Sequence, residues 1–568
     1  MSTRRDFIRG GSAAIALGLT ACGSGGSGGA GNRAAAAEDG SMSVALAAPT
    51  GAQANALRAA PGELHLLKRA SWGATPETLQ RLSTMGAEAW LDEQLNLPAA
   101  SDADVEAEIN FRWPTVNYSG CRLAQLKDDG RVMRELRAAT LFRRVFSRRQ
   151  LYEVMVDFWT DHFTIYHGDG IARHMKTVDD REVIRAHALG NFGDMLRASA
   201  RSPAMLEFLD NRRSSKKHPN ENYARELLEL HTLGVDGGYS ETDILETARA
   251  FTGWTVLRDE QDTLCLANKH HSFVFNEALH DQGEKVVLGQ RLAAGRGIED
   301  GEEVLEILLG QAATRRFIAR KLYRRFVRDT PAPPSFVERV AAAWGRDGDI
   351  AAMLRAVFSS DEFWAAADAK LSRPQENAMA LVRALAPQMD SNVTVSDLLR
   401  AAAIPDLYSM SGLANIDVLP KVDFGMLAPL DVELAPSYEG PNSDSMISRT
   451  GHVPFQWPSP DGYPDTENYW ASVNGLLERW RHCISVAGQQ RAEGLSNAAW
   501  AADQQEEPTA ALRAMRDKLL MRELDSDTEQ RLLSAAQIHA NGERAASVEQ
   551  FWRRLMALLL MSPYALRR

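Results

Sequence analysis

Histidine is the side chain that most often moves protons or binds metals near neutral pH, and this chain concentrates it in one region. Nine of its thirteen histidines lie between His162 and His280. Carboxylates and amides are frequent in the same region. We therefore look here first for a catalytic or metal-binding site.

The segment HPNENYARELLELH, residues 218–231, has the most unusual arrangement of polar side chains. On a helix with about 100° per residue, one arc holds Glu221, Asn222, Arg225, Glu226 and Glu229. Carboxylates gathered in this way can divide acid and base roles, or coordinate a hard cation. An ordinary surface helix is the alternative, because oppositely charged residues four apart pair on exposed helices.

Two amides in the first turn of this segment favour a specific role, because asparagine is a poor helix former that is typical of caps and local hydrogen bonds. The interpretation is therefore a functional helix face. Its predicted catalytic residues are Glu221, Arg225, Glu226 and Glu229, and its predicted binding residues are Asn220 and Asn222.

The segment LYEVMVDFWTDHF, residues 151–163, has helical apolar spacing. His162 lies on the apolar face, while Asp157 and Asp161 lie off it. A buried histidine needs a hydrogen-bond partner or a metal, and both options stay open. We predict His162 as a catalytic residue. We also predict a divalent-metal ligand set of His162, His167 and Glu226.

The predicted binding residues also include two tryptophans and a polar loop. Trp254 follows a helix stop and could close a pocket, and Trp159 lies beside His162. His280 and Asp281 lie in a polar segment between two β-prone runs, and Lys285 begins the second run. A histidine next to an aspartate is common in proteins, so this loop alone is a weak signal. It supports the candidate site only if it folds against the helix that contains Glu221.

The elements that must position these residues are mainly helices. Ser240 and Asp243 form the pattern of a capping box, which predicts a helix from there to Phe251 with a stop at Gly253. Apolar spacing predicts further helices at 312–327 and 548–561, and Gly234 suits a helix end. The runs 272–275 and 285–288 predict a β-hairpin. The fold class is thus mainly α, a large multi-helix globular body with a small β-hairpin excursion near 255–290.

The N-terminus carries features of an export address. Arg4 and Arg5, followed by a short apolar run, resemble a twin-arginine signal, and the sequence ending at Cys22 resembles a lipobox. In such signals the cysteine is lipidated, which anchors the protein to a membrane. We expect a signal at 1–21, a flexible Gly/Ser/Ala tether at 22–61, a helical part with the candidate site at 62–370, and a loop-rich helical part packed on it at 371–568.

Composition limits the partners and the cofactors. The formal net charge of −11 argues against nucleic acid as a partner, since phosphate binding needs a basic surface. There is no CxxC pair among the remaining cysteines, Cys121, Cys265 and Cys483, so a cysteine-rich metal site is not supported. Export would permit one disulfide among them, whose pairing the spacing leaves open.

Ordered motifs along the chain resemble the bacterial family catalogued as domain of unknown function 1800. They include FWTDHF, VIRAHALGNFGDML, PNENYARELLELHTLG, ARAFTGW, HDQGEKVVLG, RRFIARKLYRRFV, PSPDGYP and the closing MSPYALRR. The resemblance covers about residues 62–568, with an insert-like stretch at Pro405–Met446. It implies export and association with an exported partner of the alkaline phosphatase/sulfatase-like type, but it implies no reaction and no catalytic residues.

Two functions therefore remain as expectations. The first is an exported, membrane-anchored, metal-dependent hydrolase-like enzyme with a His/carboxylate site. The second is a non-catalytic lipoprotein that holds a partner enzyme or a surface polymer. The chain lacks the HExxH, GxSxG and P-loop motifs. Convergence of His162, Glu226, Glu229 and His280 in one cleft would favour the enzyme.

Overall fold

The computed structural model describes residues 61–127, 129–166, 172–257, 271–384, 450–489, 508–537 and 548–568. These residues form 24 α-helices and two small antiparallel sheets of two strands each. The predicted fold class, mainly α, is confirmed. Arg4, Arg5, Cys22, His167, Cys265 and the insert-like stretch lie outside the described residues.

The first helices are α1 (Pro61–Ala70), α2 (Pro76–Met85), α3 (Ala87–Asn96), α4 (Ala103–Arg112), α5 (Gly120–Ala124), α6 (Asp129–Phe146), α7 (Gln150–His162), α8 (Ala172–Asp179), α9 (Phe192–Ala200), α10 (Pro203–Phe208), α11 (Glu221–Glu226) and α12 (Glu241–Ala250). Two π-helical segments, Asp180–Arg185 and Leu227–Thr232, continue α8 and α11. Short 3₁₀ segments lie at Ala99–Asp102, Pro114–Asn117, Asn211–Arg213 and Glu277–Leu279.

The strands are β1 (Trp254–Val256), β2 (Phe273–Phe275), β3 (Lys285–Val287) and β4 (Gln290–Leu292). The later helices are α13 (Glu299–Gly310), α14 (Ala312–Phe326), α15 (Pro334–Ala342), α16 (Ile350–Phe358), α17 (Asp361–Trp364), α18 (Pro374–Ala384), α19 (Glu467–Trp470), α20 (Val473–Gln489), α21 (Pro508–Leu519), α22 (Ser526–Gln537), α23 (Val548–Met561) and α24 (Pro563–Leu566).

The helix α7 lies at the centre of the core. Apolar side chains occur on every side of it, which is the pattern of a helix enclosed by other elements. All of Gln150–Trp159 and His162 are buried. The same helix carries Asp157 and Asp161, so the surrounding elements must supply partners for these carboxylates.

Local signals set the helix boundaries where the sequence predicted them. The Ser240 side chain accepts a hydrogen bond from the Asp243 amide, and the Asp243 carboxylate accepts one from Ser240, so the capping box is confirmed. Gly234, after the π-helical segment, has φ of 84°, a conformation that glycine adopts without strain. The predicted helices at 312–327 and 548–561 are α14 and α23.

The β excursion is present, but the predicted pairing of its two runs was wrong. Strand β2 pairs with β1, and β3 pairs with β4. The reason lies in the turn at Leu288-Gly289, where both residues have positive φ, 50° and 76°. Two such residues form the tight turn that suits a two-residue hairpin, so β3 turns back at once to pair with β4.

All the described residues belong to one compact unit, Val44–Arg568. Its first and last described helices are in contact, because Lys68 of α1 donates hydrogen bonds to the carbonyl oxygens of Tyr564 and Arg567. The division at residue 370 stays a prediction.

Within the described residues, no helix is both long and apolar enough to cross a membrane. Cys121 is disulfide-bonded, whereas Cys483 is free and buried.

Candidate functional site

The polar face of α11 consists of surface ion pairs. Arg225 binds both carboxylate oxygens of Glu241, at 3.1 and 2.7 Å. Its distances to Glu229 and Glu221 are longer, 3.6 and 4.0 Å. Exposed pairs of this kind contribute little stability, at most about 1 kcal/mol. This arrangement matches the alternative interpretation of an ordinary surface helix.

The two asparagines and Glu226 of this segment do not take part in these surface ion pairs. Asn220 is the N-cap of α11, since its side chain accepts a hydrogen bond from the Tyr223 amide at 3.1 Å. Asn222 donates to the Leu209 carbonyl at 3.4 Å. Glu226 is buried and is the last residue of α11, directly before the π-helical segment Leu227–Thr232. The structure therefore does not keep Glu226 on the exposed face with Glu221 and Glu229.

His162 contacts the same segment from α7. Its Nε2 donates to the His231 carbonyl at 3.0 Å, and its Nδ1 accepts from Lys321 Nζ at 2.9 Å. Burial and the Lys321 charge lower the pKa of His162 well below its ordinary value, so the ring is neutral. A neutral ring with both nitrogens engaged is suited to holding Lys321 in place.

The loop residues predicted to bind form a separate buried cluster. His280 Nδ1 donates to the Thr252 carbonyl at 2.8 Å, and Lys285 Nζ donates to Asp300 at 2.7 Å. Asp281 accepts two hydrogen bonds from Arg249, at 2.9 and 3.1 Å. These bonds join β3 to α12 and α13. They do not lead to His162.

Both predicted tryptophans are core residues. Trp159 is fully buried and donates from Nε1 to the Ala188 carbonyl at 3.1 Å. Trp254 is also fully buried, and a Cβ on Gly301 would overlap its indole ring. Neither faces solvent, so neither can close a pocket from its present position.

A buried ionic network around α7 contains the carboxylates that sequence reasoning passed over. Arg144 donates to Asp157 at 2.7 Å, and Arg325 lies 3.3 Å from it. Arg373 also contacts Asp157, and its other terminal nitrogen donates to Asp161 at 2.9 Å. Burial alone would raise the pKa of Asp157, but the three guanidinium groups outweigh it and hold that pKa well below its ordinary range.

Asp161 differs from Asp157 in both exposure and charge balance. Its side chain is 22% exposed and has one guanidinium partner, Arg373. Burial and the negative charge of Asp157 raise the pKa of Asp161 to about 7, despite Arg373. Two carboxyl groups one helical turn apart thus have pKa values driven in opposite directions, which is the usual arrangement when one of them exchanges protons.

Lys321 of α14 brings a second perturbed group to this place. Burial lowers its pKa to about 8, although Asp161, Asp461 and Asp465 act in the opposite direction. Its Nζ is held by neutral His162, which adds no positive charge beside it. An amine of this kind is partly deprotonated near neutral pH, and it is therefore a candidate base, acid or nucleophile.

The PSPDGYP segment, residues 458–464, covers the end of α7. Gly462 has φ of 77°, and a Cβ there would overlap the Asp161 carbonyl oxygen, so glycine permits the close approach. Trp457 Nε1 donates to Asp461 at 2.8 Å. The Trp457 ring packs 5.1 Å from Tyr463 and 5.9 Å from Tyr469, which is 47% exposed. An aromatic surface with an exposed carboxylate thus lies beside Asp161.

The residues of this second site that sequence reasoning missed are Asp157, Asp161, Lys321, Arg373 and Asp461. One signal was visible. Two carboxylates four residues apart on a helix with apolar side chains all around must be buried or nearly so, and buried carboxylates need partners. Arg144 is 13 residues from Asp157, but the other two partners, Arg325 and Arg373, are more than a hundred residues away in sequence, where no spacing rule reaches.

In the described ranges, no three His, Cys, Asp or Glu side chains are grouped so as to hold a metal ion. His167 lies outside those ranges, and the ligand set of His162, His167 and Glu226 stays a prediction.

Comparison with known proteins gives one match. The sequence model of the family described as protein of unknown function (DUF1800) matches residues 65–567. No curated protein and no solved structure matches the chain. The match covers nearly the whole described body, including α7, α14 and the PSPDGYP segment. The chain belongs to the DUF1800 family.

Proposed function

We propose that the protein is an exported, lipid-anchored enzyme that performs hydrolase-like acid–base chemistry at Asp161 and Lys321. The observation that carries this proposal is the partly exposed Asp161, which shares Arg373 with the fully ion-paired Asp157. A carboxyl group whose pKa is raised to about 7 is present in both forms at neutral pH. One form takes a proton from water, and the other gives a proton to a leaving group.

Each neighbour has a defined task in this proposal. Arg373 positions Asp161, and Asp157 keeps Arg373 in place from the buried side. His162 positions Lys321. The exposed aromatic surface of Trp457 and Tyr469 gives a substrate an apolar contact beside the reacting groups.

The catalytic proposal is tested by hydrolysis of chromogenic nitrophenyl esters, phosphates, sulfates and glycosides between pH 5 and 9, with and without added Mg²⁺, Mn²⁺ or Zn²⁺. We expect one class to be cleaved, and we expect Asp161→Asn and Lys321→Met to lower kcat by about 100-fold or more. Glu338→Gln, at an exposed ion pair with Arg316, is the matched control and keeps full activity.

Full activity in the folded Asp161→Asn variant would overturn this assignment of the site. Turnover that appears only with one added cation would support the metal-dependent form of the proposal. If no class is cleaved and a partner protein or glycan co-purifies from the native membrane, the protein is instead a non-catalytic lipoprotein. Its partner would then be sought first among exported proteins of the alkaline phosphatase/sulfatase-like type.

Export and anchoring rest on Arg4, Arg5 and Cys22, and the disulfide of Cys121 supports them because disulfides persist in oxidising compartments. Replacing both arginines with lysine is expected to retain the protein in the cytoplasm. Cys22→Ala is expected to abolish incorporation of radiolabelled palmitate and to release the body from the membrane fraction. Unchanged palmitate labelling in Cys22→Ala would refute the anchor.

A further inference from the structure

A cavity of about 80 Å³ lies between α1, α18 and the C-terminal helices, and Asp161 is not among its lining residues. Its walls are mostly apolar and include Leu381 of α18, Leu520 after α21 and Leu560 of α23. Its polar lining residues include Arg568 and Asn377, together with Lys68 and Glu376. At about 15 Å³ for each water-sized sphere, the cavity holds roughly five, which suits a molecule of about four to six non-hydrogen atoms.

Among these residues, Arg568 presents unused hydrogen-bond donors. Arg568 is only 4% exposed, and its Nη1 lies 2.9 Å from Glu376. Its Nε and Nη2 are buried and have no hydrogen-bond partner among the described residues. These two nitrogens are the edge of a guanidinium that binds a carboxylate through two parallel hydrogen bonds. A buried charged donor without a partner is costly, so this edge favours an anion.

The groups around this edge also favour an anion. Glu376 lines the cavity too, but its charge is shared by three arginines: Arg325 at 2.6 Å, Arg373 at 3.0 Å and Arg568. Fully buried Arg69 and Arg479 each have two further nitrogens that lack a partner among the described residues. The pKa of Arg69 is lowered by burial and by repulsion from Arg568. Glu376, Asp465 and Asp329 act on that pKa in the opposite direction, so what favours an anion here is the set of guanidinium nitrogens that lack a partner in the described residues.

Two features of the cavity, its leucine walls and the unpartnered edge of Arg568, define one class of ligand. An inorganic oxyanion would satisfy Arg568 but would leave oxygens against the leucine walls. A short aliphatic carboxylate matches both features, because its charged group suits Arg568 and its chain suits the leucine walls. The Asn377 amide, whose Oδ1 also lacks a partner in the described part of the chain, can rotate to present its N–H₂ group.

We propose that this cavity binds a small aliphatic monocarboxylate. Its carboxylate lies on Arg568 Nε and Nη2, and its chain lies against Leu381, Leu520 and Leu560. The site does not depend on the proposed chemistry at Asp161.

The proposal is tested by calorimetric titration and thermal unfolding of the full chain with butyrate, butyramide and sulfate. Butyrate is expected to bind and to raise the melting temperature, because a ligand of the folded state stabilises it. Butyramide has the same shape without the charge, and it is expected to bind about tenfold more weakly or worse. Butyramide binding as tightly as butyrate would overturn the proposal, and so would sulfate binding more tightly.

Two variants separate ligand binding from folding. Arg568→Gln is expected to lower butyrate affinity by about tenfold or more, whereas Arg81→Gln, an exposed arginine paired with Glu93, leaves it unchanged. Because Arg568 also pairs with Glu376, its loss affects folding. Ala384→Leu fills the cavity from α18 without touching a charge, and it is expected to abolish butyrate binding in a folded protein. Wild-type butyrate affinity in folded Ala384→Leu would place the ligand elsewhere.

Discussion

Replacing Asp161 with asparagine is expected to stabilise the protein at pH 8. In the wild type, burial and the charge of Asp157 oppose ionisation of Asp161, whose pKa is raised from 3.8 to about 7. Asparagine has nearly the same shape, carries no charge and still offers an oxygen to Arg373. A stabilising substitution at a charged residue is unusual, and it marks a group kept for chemistry and not for stability.

The magnitude follows from the pKa. The difference between 3.8 and about 7 corresponds to ~4 kcal/mol, at about 1.4 kcal/mol for each pKa unit. The side chain is 22% exposed, so solvent screening reduces this, and we expect a gain of ~2 kcal/mol at pH 8.

The pH dependence has a fixed sign. Between pH 4 and pH 7 the folded protein holds a proton on Asp161 that the unfolded chain has released, so this group's contribution to wild-type stability falls as pH rises through that window. The advantage of Asp161→Asn is therefore greatest above pH 7, is smaller at pH 5 and disappears near pH 4.

Urea denaturation, followed by circular dichroism at pH 5 and pH 8, measures both quantities. Asp157→Asn is the matched control. It removes a carboxylate that three arginines neutralise, and it is expected to destabilise the protein at both pH values. The reasoning about Asp161 is refuted if Asp161→Asn is less stable than the wild type at pH 8, or if the difference does not change with pH.

Three other predictions follow from the same network. Arg373→Met is expected to cost about 3–5 kcal/mol because it removes the guanidinium partner of Asp161 and one partner each of buried Asp157 and Glu376, whereas Arg316→Met at an exposed pair costs at most about 1 kcal/mol; equal costs in urea denaturation would contradict this. Lys321 is expected to react with acetic anhydride with a midpoint near its pKa of about 8, and a midpoint like that of ordinary lysines would remove it from the site. Gly462→Ala is expected to displace the PSPDGYP segment from the end of α7, detected as faster hydrogen exchange there, and unchanged exchange would contradict the close approach.

Part of the candidate site could be predicted from sequence, because some of its chemistry is local. The spacing in 151–163 correctly placed His162 on an apolar face, and the His231 carbonyl is a hydrogen-bond partner of the kind that a buried histidine needs. The i,i+4 pairing of Arg225 with Glu229 could also be predicted from the sequence, since it depends only on helical geometry. The sequence pattern did not show how deeply each side chain is buried. It could not separate Glu226, which is buried, from Glu221, which is exposed.

The sequence by itself determined the mainly α fold and many of its boundaries, because caps, glycines and apolar spacing act over a few residues. The tertiary structure decided the rest. It paired β2 with β1, and it brought Arg373 to Asp157 and Asp161 across more than two hundred residues. A carboxyl group's proton affinity depends on what surrounds it in space, so the distinction between Asp157 and Asp161 exists only in the folded chain.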